Sequence, residues 1–151
     1  MGHISWIGLR CMSGRTFVDT NVLLYAYDRT SATKQGAARK VLHGLWLDKT
    51  GVLSMQVLQE FYFNVTRKIA SPLPQATARR LVVNYTRWCI AASPTQIAVA
   101  FSIEDKAKIS FWDALIVASA LNGGASRILT EDMNHGQRIA GLLIENPFVA
   151  L

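Results

Sequence analysis

The chain is poor in the residues that most often carry redox chemistry or transition-metal binding. Its two cysteines, Cys11 and Cys89, stand far apart and form no CxxC pair, which excludes a zinc ribbon and a thioredoxin-type redox motif. There are three histidines, His3, His43 and His135, and none has the spacing of a paired metal ligand. No GxGxxG or GxxxxGKS/T phosphate loop and no GxSxG elbow occurs, so dinucleotide, nucleoside-triphosphate and α/β-hydrolase chemistry lack their fingerprints. Apolar stretches such as Ala114 to Leu121 fall far short of the roughly 18 residues that a membrane span needs. The opening MGHISWIGLRCM has neither a basic n-region nor a small-residue cleavage site, so no secretory signal is read. Sparse cysteine adds the expectation of a reducing cytoplasm.

Acid is scarce too, and unevenly placed. Sixteen Lys and Arg face ten Asp and Glu, a formal net charge of +6, and such a surface favours polyanions. No acid occurs between Glu60 and Glu104, while Arg67, Lys68, Arg79, Arg80 and Arg87 all fall there. Tyr62, Tyr85 and Trp88 are interleaved with them, the pattern of a surface that follows a nucleic-acid backbone and stacks bases. The ordinary alternative is a solvated helix face.

What the chain does have is enough apolar residue, 50% of 151, for one domain whose core needs no disulfide or structural metal. RTFV at 15–18 reads as a strand ending at Asp19, and VLLYAY as a helix or tight turn after it. Ser31 caps a helix to about Leu47, with Ala38, Val41, Leu42 and Leu45 at helical spacing. GVLS at 51–54 is a second strand, and Ser54 caps a helix carrying Val57, Leu58, Phe61, Tyr62, Val65 and Ile69 on one face until Pro72 and Pro74 break it. Pro74 opens a helix to about Trp88, Cys89 to Ala92 reads as a third strand, and Ser93, Pro94 and Gln96 form a capping box for a helix through Ala107. Ser110 opens a helix that stops at Gly123-Gly124. SRILT is then a strand, TEDMNHGQ a polar loop and GLLIE a final strand. This alternation predicts the α/β class, a three-layer α/β/α sandwich on a mainly parallel sheet. In such sheets ligands bind beyond the carboxyl ends of the strands, where the strand order reverses.

Four of the acids fall near those ends. Asp19 closes the first strand, Glu60 lies in the helix after the second, Asp113 in the first turn of the helix before SRILT, and Asp132 just beyond that strand. A right-handed parallel topology gathers such positions at one edge. Each also has an ordinary role: Asp19 as an N-cap or turn residue, Glu60 as a solvated flank, Asp113 in the Ser110-x-x-Asp113 capping box, and Asp132 as a turn cap for which Glu131 competes. Gathered together, the four would raise one another's pKa unless a cation neutralised them, and hard oxygen ligands suit Mg²⁺ or Mn²⁺. Beside a basic surface, that is the equipment of a metal-dependent nuclease.

The strings FVDTNVLLYAYD, SMQVLQEFYFNV, FWDALIVASAL and ILTEDMNHGQ, each supplying one of these acids, resemble the four blocks of PIN-domain ribonucleases, particularly VapC-type toxins. The resemblance implies a single-strand-directed RNA endonuclease dependent on Mg²⁺ or Mn²⁺, with Asp19, Glu60, Asp113 and Asp132 as catalytic and metal-binding acids and Asn21, Ser54 and Thr130 as polar supports. It favours Asp132 over Glu131, because its block places the acid two residues after the Thr. It also implies an inhibitory antitoxin protein and a homodimer, and gives Arg67, Lys68, Arg79, Arg80 and Arg87 an RNA to bind. Residues 1–14 then read as an extension before a single nuclease domain over 15–151, with Met12 as an alternative start. A PIN-like RNA-processing nuclease without an antitoxin, and a catalytically silent RNA-binding module, are the alternatives.

Overall fold

The computed structural model describes residues 14–150, so all of the expected extension but Gly14, with Met12, Cys11 and His3 in it, lies outside the described residues. β1 (Arg15–Val18) is flanked by strands on both sides, and its Thr16, Phe17 and Val18 are all buried, as a strand covered on both faces requires. The five-stranded sheet runs β2 (Gly51–Val52), β1, β3 (Ala125–Leu129), β5 (Leu142–Glu145), β4 (Arg138–Ile139). All pairings are parallel except β4 with β5. Phe17 sits between Val52 on one side and Ile128 on the other. Arg127 laces the middle of the sheet together, its Nε donating to Thr16 Oγ1 at 2.7 Å and its Nη1 to Glu145 Oε2 at 2.8 Å.

From β1 the chain moves outward to β2 and then returns past β1 to β3. Strand order therefore reverses between β1 and β3, which opens the ligand crevice of such sheets at their carboxyl ends. The first connection holds α1 (Thr20–Tyr25) and α2 (Ala32–Asp48); the second holds α3 (Met55–Arg67), α4 (Gln75–Tyr85), α5 (Thr95–Ala107) and α6 (Phe111–Asn122). α1 packs on α2 and α3, α3 on α4, while α5 pairs with α6, which lies against β3. This is the expected α/β sandwich. Asp19, Ser31, Ser54 and Ser110 begin four of the helices, each side chain accepting from a backbone N–H of its first turn. Each such cap stabilises its helix by about 1 kcal/mol.

Three expectations change, and one element, β4, is new. Cys89 to Ala92 is no strand: a single parallel bridge, Leu53 to Cys89, is all that forms, and exposed Ala91 gives its carbonyl to Asn122 Nδ2 at 3.0 Å. The helix expected to reach Trp88 ends at Tyr85 and tightens into a 3₁₀ turn over Thr86–Trp88. Only half of the capping box at Ser93 forms, Gln96 Oε1 accepting from Ser93 N while the Ser93 hydroxyl pairs with Thr95 Oγ1. β4 joins β5 through Ala140 (φ 50°) and Gly141 (φ 83°), the two positive dihedrals of a type I′ hairpin. Among the described residues no helix is long and apolar enough to cross a membrane.

Trp88 is 7% exposed because β2 offers it a surface without a side chain: a Cβ on Gly51 would stand 2.5 Å from the indole. Gly51→Ala is therefore expected to destabilise the fold by roughly 1–3 kcal/mol through overpacking. Urea denaturation checks this, and an unchanged midpoint would contradict it.

Candidate active site

Asp19 is placed by backbone hydrogen bonds before its side chain does anything. Its N–H donates to Leu129 O at 3.0 Å, fastening the end of β1 to the end of β3. One carboxylate oxygen, Oδ1, accepts from Thr20 N at 2.7 Å and so begins α1. The other, Oδ2, accepts from the hydroxyl of Thr130 at 2.8 Å. Thr130 follows β3 directly and is fully buried, its own N–H donating to Glu145 O. The crevice between β1 and β3 is thus floored by a carboxylate and a hydroxyl bonded to each other.

Asn21, on the first turn of α1, spans the mouth of the crevice. Its Nδ2 lies 3.0 Å from Asp132 Oδ2, 3.3 Å from Thr130 Oγ1 and 3.4 Å from Asp19 Oδ2, and its Oδ1 accepts from Glu131 N at 3.2 Å. Asp132 N in turn donates to Thr130 Oγ1 at 3.1 Å. Glu60 joins from α3: its Oε2 accepts from Thr20 Oγ1 and its Oε1 from Gln56 Nε2, both at 2.9 Å. Glu131, the competitor of Asp132, turns away to Lys34 Nζ at 2.7 Å and the Tyr25 hydroxyl at 2.9 Å. That clamp holds the loop so that the next residue faces Asn21.

The sequence therefore named three acids that one hydrogen-bonded network links, Asp19, Glu60 and Asp132. Asp113 is half-buried in the first turn of α6, its N–H on Ser110 Oγ at 3.1 Å, and the network does not reach its carboxylate. Ser54 spends its oxygen capping α3 through Val57 N. Thr20, Gln56, Tyr25 and Lys34 were not singled out. Thr20 stands in the DTN string and was legible in principle, whereas Lys34 lies 97 residues from Glu131 and carries no local signal. His135 Nδ1 accepts from Asn146 N at 3.0 Å, a loop fastening.

The basic residues do not form the single stacking surface that the interleaved aromatics suggested. Tyr85 and Trp88, each 7% exposed, pack against buried Phe61 and the partly exposed Trp46, and so cannot stack bases. Burial, with the Tyr27 hydroxyl 3.1 Å away, pushes the Tyr85 phenol well above its usual range. Arg67 and Lys68 lie over the exposed ring of Phe63, and Arg79 Nε donates to the Tyr62 hydroxyl at 3.3 Å. Arg80 is exposed on α4, and Arg87 lies near Trp46 in a different neighbourhood.

Burial pushes the Asp19 carboxyl up to about 6, with Asp132 and Glu60 adding repulsion and the bonds from Thr130 and Thr20 opposing it. The two ion pairs among the described residues, Lys34 with Glu131 and Arg127 with Glu145, leave all three acids of the network without a basic partner. Among the described residues no group of three or more His, Cys, Asp or Glu stands close enough to hold a metal ion by itself. Mg²⁺ asks for less: one or two carboxylates with water and phosphate oxygens completing its shell. Asp19 and Asp132, both within reach of one amide nitrogen, fit that requirement in donor chemistry and in their uncompensated charge.

Because the folded-state value of Asp19 lies above that of the unfolded chain, the native state holds this proton more tightly. The stability gained is complete below pH 3.8 and is lost as pH rises through about 6. Ionised Asp19 should cost the fold roughly 3 kcal/mol at neutral pH. In EDTA, Asp19→Asn is expected to gain on the wild type in unfolding free energy from pH 4 to pH 7.5 by a difference of that order. Parallel pH profiles for the two proteins would contradict this.

Comparison with known proteins bears on the fold. No curated protein matches the chain. Among solved structures the fold is similar to a toxin–antitoxin complex from Klebsiella pneumoniae, with 15% identity and a TM-score of 0.64 over 88% of this chain and 98% of that one. It is also similar to VapBC2 from Rickettsia felis bound to a promoter DNA fragment, with 20% identity and a TM-score of 0.59 over 87% and 97% of the two chains. A third is VapC20 of Mycobacterium tuberculosis, a sarcin–ricin-loop-cleaving toxin, with 18% identity and a TM-score of 0.54 over 75% and 86%. The profile of the PIN domain matches residues 16–141, which take in β1 with Asp19, Glu60, Asp113 and the Thr130–Asp132 loop. The chain belongs to the PIN-domain family.

Proposed function

We propose that this protein is an endonuclease that cleaves single-stranded RNA with Mg²⁺ or Mn²⁺, and that it is the toxin of a toxin–antitoxin pair. The observation that carries the reading is Asp19, a buried carboxylate at the reversal of strand order with two further acids in its network and no basic partner. Asp19 and Asp132 would hold the ion, which when bound acidifies a water and balances charge on the scissile phosphate. Thr130 and Asn21 keep the two carboxylates oriented by donating to their oxygens. Glu60, whose two oxygens accept from Thr20 and Gln56, is held at the rim, where it would reach the water or the ion. Asp113 is the fourth acid, and Ser54 supports the site by capping the helix that carries Glu60.

The exposed cations Arg67 and Lys68 at the end of α3 and Arg79 and Arg80 on α4 supply the sequence-independent attraction for the RNA backbone. Arg87 is the weakest member of that set, given its separate neighbourhood. The toxin reading is supported by fold neighbours that are toxin–antitoxin complexes, some with DNA bound. A homodimer is supported by Ile97, Phe101 and Trp112, large apolar side chains left exposed on the paired helices α5 and α6.

A fluorophore-labelled single-stranded RNA incubated with the protein and Mn²⁺ is expected to yield discrete fragments that EDTA abolishes. Asp19→Asn should lower the cleavage rate by roughly 10²-fold or more. Arg79→Gln with Arg80→Gln should raise KM more than it lowers kcat. RNA binding that survives both acid substitution and EDTA, with no product from the wild type, would replace the nuclease with a silent binding module.

A further inference from the structure

The end of the sheet opposite the carboxylates carries a concentration of positive charge of which the nuclease reading uses only Arg87, the weakest of its cations. A cavity of about 390 Å³ opens there, lined by Arg15, Lys49 and Arg87 together with Trp46, Trp88 and Ile90. Arg15 is the first residue of β1, whereas Asp19 follows its last. The two positions are separated by roughly 13 Å of strand, so this cavity is not a lobe of the acidic crevice.

Three cations share the cavity, and no Asp or Glu lines it. Neither ion pair among the described residues involves any of the three, and the sequence before Arg15 contains no acid. Lys49 stands at φ 57° and ψ 39°, the left-handed position after α2 that ordinarily goes to glycine. Favourable interaction with the carboxyl end of α2 accounts for a lysine there. It does not account for Arg15 and Arg87, which come from other elements and face the same space.

The apolar lining is equally specific. Trp46 is 37% exposed, and the Arg87 guanidinium lies 6.0 Å from its ring. Trp88 lies flat over Gly51 and is buried, closing the wall on the β2 side. A cavity of this volume is within the range of small-molecule sites and larger than a lone phosphate needs. Cations beside an indole are the pairing that recognises a phosphate joined to a base.

We infer that this cavity binds a phosphate-bearing nucleotide, the phosphate among Arg15, Lys49 and Arg87 and the base against Trp46. The ligand is either a free mononucleotide or the phosphorylated 5′ end of an RNA strand, two sources of one chemistry.

Calorimetric titration of the full chain in EDTA at low ionic strength separates the possibilities. The probes are adenosine 5′-monophosphate, adenosine, and a tetranucleotide RNA with and without a 5′-phosphate. The monophosphate is expected to bind about tenfold or more tightly than adenosine, and Arg87→Gln and Lys49→Gly should each weaken it by a similar factor. Lys49→Gly suits the left-handed backbone, so its loss of affinity cannot be a loss of fold. Asp132→Asn, in the acidic crevice, should bind as the wild type does, which keeps this test independent of the nuclease reading. Tighter binding of the monophosphate than of the 5′-phosphorylated tetranucleotide assigns a free nucleotide, and the reverse order with the same sensitivity to Arg87 and Lys49 assigns the strand end. Failure of every phosphorylated probe to bind, equal affinity for adenosine, or indifference to both substitutions would overturn the inference.

Discussion

A carboxylate held out of water at the end of β1 is the interaction on which the rest of this protein turns. Asp19 does three things with one side chain: it begins α1, it ties β1 to Thr130 beyond β3, and it concentrates negative charge where the strand order reverses. The first two fix the fold around it and the third opposes the fold. A buried carboxyl without a cation is destabilising, and the hydrogen bonds from Thr20 and Thr130 offset only part of that. Natural proteins tolerate such a conflict where function needs it and where the surrounding core is strong enough to impose it. Here Phe17 and Val18 precede the acid and Ile128 and Leu129 precede the threonine, all of them buried.

Neutral hydroxyl and amide groups serve architecture and site alike. Ser31, Ser54 and Ser110 satisfy helix N-termini, while Thr20, Thr130 and Asn21 satisfy carboxylates. None of these is a charge, so the network orients the acids without neutralising them. The ammonium of Lys34, on α2, is committed to Glu131 and Tyr25, which leaves Asp132 directed at the crevice. Neutralisation is thereby left to something that arrives from solution, and the basic outer surface favours a polyanion as its companion.

Much of this was legible in the sequence because it is written locally. Apolar runs ending in Asp19 or Thr130, and Ser residues before helical periodicity, are nearest-neighbour signals, and the strands they predict and the caps at Ser31, Ser54 and Ser110 are present, though the one at Ser93 is only half made. The misread segments depend on partners far away in the chain. Cys89 to Ala92 has strand-like composition, but β2 is only two residues long, and just past it Leu53 offers a single bridge. The β4–β5 hairpin turns on Ala140, a residue that gives no turn signal although its φ is 50°. Tyr85 and Trp88 alternate with cations in sequence, yet helical geometry sends the aromatics inward against Phe61 and Trp46 and leaves the cations outside. The resemblance favoured Asp132 over Glu131, but the pairing of Glu131 with Lys34 was not legible, since no spacing rule connects the two.

The central claim is that the acids at the β1–β3 reversal make one site that wants a divalent cation. Thermal unfolding of the wild type and of Asp132→Asn with increasing Mn²⁺ tests it most directly, because Asp132 is exposed and its replacement leaves the core alone. At a hundredfold excess over Kd the wild type should gain about 2.7 kcal/mol, a rise in Tm of roughly 5–11 °C for a domain of this size. Asp132→Asn should shift far less at the same concentration. An equal shift in both proteins, or none in the wild type, would contradict the account.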